Sequence, residues 1–292
     1  MKIILKIIYK FLVVIDSIVF KFFGKSILYY FRDMHENDLY VKKKILSSQV
    51  SFYVPNKTIK WRVDSFYKKE PETLEWIDNF NENKKIIFWD IGANIGLYSI
   101  YAALKHDNIE IISFEPSTNN LRVLSRNISV NNLEEKIKIS QFPLSDKTNQ
   151  FSTMNESEFI EGWSMSSFAY QNDFEGKRFN PKQKYKILGT SINYLLDSKI
   201  LEPPNYIKID VDGIEHMILS GADKHLTDIN IKSILVELNE NFEEQYDSVL
   251  RIMSQNKFKL RFKKRAEEFY VNKLVDKNKN KFSKLFNYVF DR

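Results

Sequence analysis

The chain has no cysteine among its 292 residues. Without cysteine it has no disulfide cross-links, thiolate metal sites or cysteine nucleophiles, and it suits a reducing compartment. Glycine is also scarce, with 8 residues, so two glycines close together are informative. The hydrophobic and charged fractions, 43% and 28%, are those of a globular protein and exclude a disordered or fibrous one.

Two familiar catalytic motifs are missing as well. The four histidines include no H-E-x-x-H pair, so we do not expect a zinc site. The sequence also has no G-x-S-x-G elbow, which removes support for a serine hydrolase.

The net charge of +6 is unevenly distributed. Residues 1–45 carry +5 and residues 257–292 carry +8, so the middle of the chain carries −7. An acidic centre argues against binding of nucleic acid through the core, and we expect no nucleic-acid partner. Any anionic partner would meet the basic ends.

Residues 1–31 are apolar, but they fit neither a membrane-spanning helix nor a cleavable signal. Spanning takes about 18 apolar residues, and four charged residues interrupt every such window: Lys6, Lys10, Asp16 and Lys21. A signal ends in small residues, yet the first alanine is Ala93. The charges fall on one half of a helical wheel, so residues 1–45 are expected to form an amphipathic helical extension. It either binds a membrane surface or docks on the protein's own core.

The C-terminus shows a similar pattern. Apolar residues at 282, 285, 286, 289 and 290 have helical spacing and follow several lysines, which predicts a basic amphipathic helix over 274–292. Two such ends favour contact with an anionic membrane surface, and packing on the protein itself or in a dimer is the alternative. We expect a cytoplasmic protein that can lie at the inner face of the membrane.

Between the ends, residues 46–273 are expected to form one α/β domain. From about residue 84, short apolar runs alternate with helical patterns, which is typical of a mostly parallel sheet with helices on both faces. The segments 258–262 and 269–271 are expected to close the sheet as a hairpin. Residues 147–190 interrupt the alternation with a polar and aromatic insert. We interpret it as a lid or substrate-binding segment, with an extra hairpin on the sheet as the alternative.

The first chemical motif follows a predicted strand and opens a helix. Asp90, Gly92, Asn94 and Gly96 match the D-x-G-x-(G/N)-x-G turn with which S-adenosylmethionine-dependent methyltransferases bind the methionine end of their cofactor. The spacing excludes the dinucleotide and P-loop motifs. Asn94 replaces the usual central glycine, and asparagine tolerates a left-handed backbone.

Glu115 ends the next predicted strand and is followed by Pro116. A carboxylate at this position can accept both hydroxyls of a ribose. A solvated strand end is the alternative. Asp146, after the third strand, completes the set of candidate cofactor-binding residues.

The second motif contains Lys208 and Asp210, which alternation places on one face of a strand. Asp210 lies at the carboxyl end, and Glu237 lies at the matching end of the next strand. The two acids either bind a divalent metal or orient and deprotonate an acceptor hydroxyl. For Asp212 and Glu215 we favour a role in capping the following helix.

His216, one turn past Asp212, is a further candidate base in the same cleft. A structural histidine near a helix start is the alternative. The candidate catalytic residues are therefore Asp210, Lys208, Glu237 and His216.

Four blocks in this order resemble the FkbM family of S-adenosylmethionine-dependent methyltransferases: residues 69–78, 88–99, 114–117 with Asn127 and Asn131, and 207–215 with 220–222. The resemblance spans roughly residues 65–265 and excludes the basic ends. It implies a class I methyltransferase sheet of Rossmann-like type and methyl transfer to oxygen. Asn193, in place of a common aspartate, and Asp212, in place of a common glutamate, depart from the family pattern.

The resemblance also implies acceptors such as sugars of surface polysaccharides, glycolipids or secondary metabolites. Two alternatives are a cofactor-binding scaffold of a glycan-assembly complex without transfer activity, and an N-methyltransferase. The chain lacks an Asn/Asp-Pro-Pro-Tyr-type acceptor loop, which disfavours N-methylation.

Overall fold

The computed structural model describes residues 1–81, 83–265 and 284–292. The helices are α1 (Lys2–Phe23), α2 (Ile27–Asn37), α3 (Lys57–Asp64), α4 (Phe66–Lys69), α5 (Pro71–Asp78), α6 (Leu97–Lys105), α7 (Thr118–Ser129), α8 (Ile192–Asp197), α9 (Glu215–Ser220) and α10 (Glu243–Gln255). The strands are β1 (Tyr40–Ile45), β2 (Ser48–Tyr53), β3 (Ile86–Ile91), β4 (Ile109–Phe114), β5 (Ile137–Ser140), β6 (Gln150–Glu156), β7 (Ser166–Phe168), β8 (Gln183–Gly189), β9 (Tyr206–Ile209), β10 (Ser233–Asn239), β11 (Lys259–Lys264) and β12 (Leu285–Asp291).

Seven of these strands form the main sheet, in the order β11-β12-β10-β9-β3-β4-β5. The five strands from β10 to β5 are parallel, and β12 runs antiparallel between β10 and β11. This arrangement confirms the expected mostly parallel sheet of a class I methyltransferase.

Two apolar cores cover the two faces of the sheet. All six residues of β3 are buried, as expected for a strand that is covered on both sides. Because side chains alternate, Phe88 packs into the core formed with α5, α6 and α7. Its neighbour Trp89 packs into the core formed with α8, α9 and α10. Helices therefore lie on both faces, as predicted.

The prediction of a helix over 274–292 is wrong for the residues that form the strand β12. This strand alternates between the cores, with Val289 in the first and Tyr288 and Phe290 in the second. The apolar run suits a strand buried on both faces as well as it suits a helix, and burial of both faces decides the outcome. Residues 269–271 and the other part of the expected helix, 274–283, lie outside the described residues. β11 confirms the strand predicted near 258–262, and β12 is its partner.

The N-terminal extension is helical, as expected, only as far as α2. The expected boundary at residue 45 falls in a β-hairpin, because β1 pairs antiparallel with β2. Val50 and Phe52 of β2 are buried in the first core, so the hairpin belongs to the domain. Pairing and burial of this hairpin therefore override the helical interpretation of residues 40–45.

The insert at 147–190 forms a three-stranded antiparallel sheet in the order β7-β6-β8. Residues 157–165, which we name the strap, connect β6 to β7. The insert therefore contains the additional sheet of the alternative interpretation together with a segment that can cover a site.

The position of β12 predicts that Phe290→Ala and Leu260→Ala have very different effects on the free energy of unfolding. Phe290 is 3% exposed, whereas its cross-strand partner Leu260 is 52% exposed. Phe290→Ala should lower the free energy of unfolding by about 3–5 kcal/mol, because it leaves a cavity in the second core. Leu260→Ala should change it by no more than about 0.5 kcal/mol. Denaturant unfolding measures both, and an equally small effect of the two would contradict the assignment of β12 to the sheet.

Candidate active site

A cavity of about 600 Å³ opens at the carboxyl ends of the central parallel strands. Ile91, Phe114, Asp210 and Glu237 reach its wall from β3, β4, the residue after β9, and β10. Open α/β sheets bind ligands at this edge, and small-molecule sites occupy roughly 300–1,000 Å³. The cavity has the position and the size of a substrate and cofactor site.

The glycine turn after β3 is shaped by its contact with β9. Gly92 has φ +86°, and a Cβ atom on it would lie 1.9 Å from the carbonyl oxygen of Asp210. A side chain here would therefore force the turn away from β9. Gly96 also has a positive φ and its Cβ would lie 2.6 Å from Leu124 Cδ1, so the predicted need for two glycines has a physical basis.

Asn94 adopts the left-handed backbone, with φ +51°. Its backbone N–H donates to Glu115 Oε2 at 2.8 Å, and its side-chain Nδ2 donates to the carbonyl of Trp163 at 3.2 Å. Its Oδ1 atom is buried and accepts no hydrogen bond. Because a buried acceptor without a partner is costly, this atom fits a ligand that brings a donor to the turn.

Glu115 lies in the cavity wall at the end of β4, with Pro116 beside it. Its second oxygen, Oε1, accepts from the backbone N–H of Ser117 at 2.8 Å. A carboxylate has about four acceptor positions, so two remain for a ligand. Burial raises the pKa of Glu115 to about 8, although the amides of Ser117 and Asn94 act against this rise.

Three of the predicted cofactor residues, Asp90, Gly96 and Asp146, do not reach the cavity wall. Asp90 is fully buried below the turn, where its Oδ2 accepts from Ser99 Oγ at 2.6 Å, and burial raises its pKa. Asp146 is exposed. The residues before it, Phe142, Pro143 and Leu144, form the wall instead, because the chain turns outward after them.

A cluster of charged side chains forms one end of the cavity, and it includes Lys208 and Asp210. As predicted, the two lie on one face, with Lys208 Nζ 2.8 Å from Asp210 Oδ2. Lys208 is almost completely buried, and burial alone would lower its pKa. The charges of Asp210 and Asp90 outweigh burial and raise that pKa above its usual value. Burial would likewise raise the pKa of Asp210, but Lys208 and Lys69 lower it to about 2.

Sequence reasoning missed two members of this cluster, Lys69 and Glu70. Glu70 is fully buried and pairs with Lys69 at the junction of α4 and α5. Burial would raise the pKa of Glu70, but Lys69 and Lys208 bring it below its usual value. The signal was a pair of adjacent opposite charges next to Pro71 within a segment that the family resemblance had already marked.

The carboxylates of Glu70, Asp210 and Glu237 converge, with one oxygen of each within 4.8 Å of the others. Burial, reinforced by the charges of Asp210 and Glu70, raises the pKa of Glu237 well above its usual value. Oxygen ligands of this kind suit a divalent cation. However, the ammonium groups of Lys69 and Lys208 already neutralise two of the three carboxylates. The cluster therefore does not fit a metal ion well.

The residues that follow Asp210 have three different roles. Glu215 accepts from the backbone N–H groups of Val211 and Gly213, which precede α9, so it fixes the loop before the helix and does not cap the helix as predicted. Asp212 instead accepts from the backbone N–H of Met165 in the strap, at 2.7 Å. His216 lies outside the cavity wall, buried against Phe242, so the structure does not bring it together with Asp210.

The strap crosses the cavity and is held from several sides. Asn120 accepts from the N–H of Gly162 and donates to the carbonyl of Trp163. Arg62, from α3, donates to the carbonyl of Gly162. Trp163 and Met165 thereby become part of the cavity wall. These tertiary contacts were not visible in the sequence pattern.

Known proteins with a similar sequence are methyltransferases. The profile of the Methyltransferase FkbM domain matches residues 90–260. The chain is 27% identical to methyltransferase sdnD of Sordaria araneosa over 180 residues, which cover 55% of this chain and 68% of that protein. It is 25% identical to methyltransferase 1 of Beauveria bassiana over 171 residues, which cover 51% of this chain and 63% of that protein. The match thus spans about two thirds of each relative.

Two of the solved structures with a similar backbone fold are the following. The precorrin-6y C5,15-methyltransferase of Geobacter metallireducens has a TM-score of 0.42 at 12% identity, with 76% of this chain and 86% of that chain covered. Fibrillarin of Aeropyrum pernix with natively bound S-adenosyl-L-methionine has a TM-score of 0.41 at 10% identity, with 77% and 76% covered.

The family match covers more than half of the chain and includes the glycine turn, Glu115, Asp210 and Glu237. The chain therefore belongs to the FkbM methyltransferase family and is an S-adenosylmethionine-dependent methyltransferase.

Proposed function

We propose that this enzyme methylates a hydroxyl of a sugar, in a surface glycan, a glycolipid or a glycosylated secondary metabolite, and that Asp210 accepts the hydroxyl proton. The observation that carries the proposal is the pairing of Asp210, in the cavity wall, with the buried Lys208 behind it. The ionised carboxylate of Asp210 thus lies in the part of the cavity wall next to the glycine turn. The resemblance to FkbM enzymes supports the sugar as acceptor.

The residues of the turn fit the cofactor. Gly92 leaves no room for a Cβ atom, Asn94 has a free acceptor for the methionine ammonium group, and Glu115 has free acceptor positions for ribose hydroxyls. Phe142 and Pro143 supply an apolar wall for the base. When bound, S-adenosylmethionine supplies a methyl group on a sulfonium, which is an electrophile that needs only a positioned nucleophile.

In the proposed step, the acceptor oxygen forms a bond to the methyl carbon while the electron pair of the broken C–S bond stays on sulfur. The hydroxyl proton passes to Asp210, whose ionised form Lys208 maintains. Lys208 thus acts as a positioning residue behind the base. Trp61 and Arg62 of α3, together with the strap, wall the remaining part of the cavity, where the acceptor would lie.

We also infer that α1 and α2 dock on an anionic membrane surface. Ile4, Phe11, Ile18 and Phe22 lie on one side of α1 and are all more than half exposed. The structure describes no helix that is long and apolar enough to cross a membrane. A helix with this exposed apolar side suits the interface instead.

Charge on the N-terminal helices favours anionic lipids as the occupant of this face. The single acid of α1, Asp16, accepts from Ser26 Oγ and from the backbone N–H of Leu28, so it is used to join α1 to α2. The other charged residues of α1 are lysines, which include Lys6 and Lys10. Each lysine near an anionic surface contributes about 1 kcal/mol.

Cofactor binding predicts a specific loss in Glu115→Gln. The variant keeps the size of the side chain but replaces one carboxyl oxygen with an NH₂ group that cannot accept, so affinity for S-adenosylmethionine should fall about tenfold or more. Calorimetric titration measures this affinity. Glu134→Gln, an exposed residue outside the cavity wall, is the control and should bind normally. Unchanged affinity in Glu115→Gln would contradict the proposed ribose site.

Asp210→Asn should lower the rate of methyl transfer by roughly 10²-fold or more, as expected for a lost general base, with cofactor affinity kept within a few-fold. Cells that lack the enzyme provide unmethylated glycan extract as the acceptor, and mass spectrometry detects the added methyl group. Asp247→Asn, exposed on α10, is the control.

The same assay tests metal dependence. Chelation should leave the rate of the wild type unchanged, because lysines neutralise the carboxylate cluster. Loss of activity on chelation, restored by a divalent ion, would show a metal role for Asp210 and Glu237. A fully active Asp210→Asn variant would show that Asp210 has neither role.

Membrane docking predicts flotation of the full-length protein with vesicles that contain anionic lipid, and weaker binding as salt increases. Phe11→Glu combined with Ile18→Glu should reduce binding at least tenfold, because charge enters the apolar face. The control is Ile229→Glu, an equally exposed apolar residue between α9 and β10. A wild type that stays unbound at low salt and is a dimer in solution would assign the face to a second copy instead.

A further inference from the structure

A second, more open depression of about 410 Å³ adjoins the cavity. Lys57 and Trp61 belong to the walls of both, so the two spaces meet along one side of α3. The remaining residues of the depression are Lys60, Asp64, Ser65 and Lys68. A ligand in the cavity can therefore extend past Trp61 into a space walled mainly by lysines.

The charge in this depression is only partly compensated. Lys60 pairs with Asp64, whose side chain is the single acid of the wall. Among the described residues, no carboxylate lies within ion-pair distance of Lys57 or Lys68. Burial lowers the pKa of the neighbouring Lys43; the charge of Asp64 acts against this, and the charges of Lys60 and Lys68 lower the pKa further.

We propose that the acceptor carries a phosphate group, which Lys57 and Lys68 bind while its hydroxyl lies at Asp210. This inference rests on the proposed function, because it names the acceptor class for the same cavity. A phosphate monoester carries about −1.5 to −2 charges at neutral pH. Two uncompensated ammonium groups match that charge, whereas a carboxylate would leave one of them without a partner.

Trp61 influences how an acceptor lies across the cavity and the depression. Its side chain belongs to the walls of both spaces, so a sugar ring that lies along it extends from the cavity toward the lysines of the depression. Arg62 donates through Nε to the carbonyl of Gly162 in the strap, and it lies in the wall of the cavity and not in that of the depression. The lysines are thus the groups of this wall that can bind an anion.

Binding is measured without methyl transfer, so that its outcome is separate from that of the Asp210 experiment. The full-length protein, saturated with S-adenosylhomocysteine, is titrated with inorganic phosphate, glucose 1-phosphate, glucuronate and glucose. Glucose 1-phosphate should bind at least tenfold more tightly than glucose, and this preference should weaken as salt increases. Lys57→Gln combined with Lys68→Gln should remove the preference.

The matched control is Lys184→Gln combined with Lys186→Gln, two exposed lysines of β8, which should bind as the wild type does. A further arm uses phosphatidylcholine vesicles with polyprenyl phosphate. Lysine-dependent binding there places the phosphate on a lipid, and lysine-dependent binding of glucose 1-phosphate alone places it on a soluble sugar; both support the proposal. It is overturned if glucuronate binds as tightly as glucose 1-phosphate, or if the double variant at 57 and 68 keeps the preference.

Discussion

A lysine ammonium group that is removed from water must be compensated by nearby negative charge, and Lys208 meets this condition where β3 and β9 lie side by side. The strand register places Asp90 opposite Lys208, and alternation along β9 places Asp210 on the same face. The charge of Asp90 acts on the ammonium group from below the glycine turn, and Asp210 pairs with it directly at the cavity wall. One buried cation thereby connects the strand that precedes the cofactor turn with the residue that faces the acceptor.

The contact between Gly92 and the carbonyl group of Asp210 explains why the glycine turn and the charged cluster cannot change position independently of each other. The missing side chain of Gly92 lets the turn approach the carbonyl of Asp210, and that approach brings the cofactor site next to the carboxylate. Asp212, two residues later, binds the strap through Met165. The short segment after β9 therefore determines three things: the position of the proposed base, the distance between the glycine turn and β9, and one attachment point of the strap.

The sequence is sufficient to predict the parallel sheet, the turn, the position of Glu115 at the end of its strand and the common face of Lys208 and Asp210, because each depends on local alternation or on short spacing. It fails where distant segments meet. Glu70 joins the cluster only because α5 packs beside the sheet, and the apolar residues around Val289 form a strand only because two cores are available to them. Asp146 and His216 are close in sequence to residues of the cavity wall, but the direction of the backbone takes both away from that wall.

The N-terminal helices and the strap are connected by a short chain of ion pairs. Glu36 of α2 binds Arg122 and Arg126 of α7, and Arg122 also binds Glu161 of the strap, each at 2.7 Å. Exposed pairs of this kind contribute little to stability. Their effect is therefore one of position, since they fix the end of α2 beside the helix that contains Asn120, a strap ligand. An acceptor held at a membrane would thus reach the cavity from the side on which α2 lies.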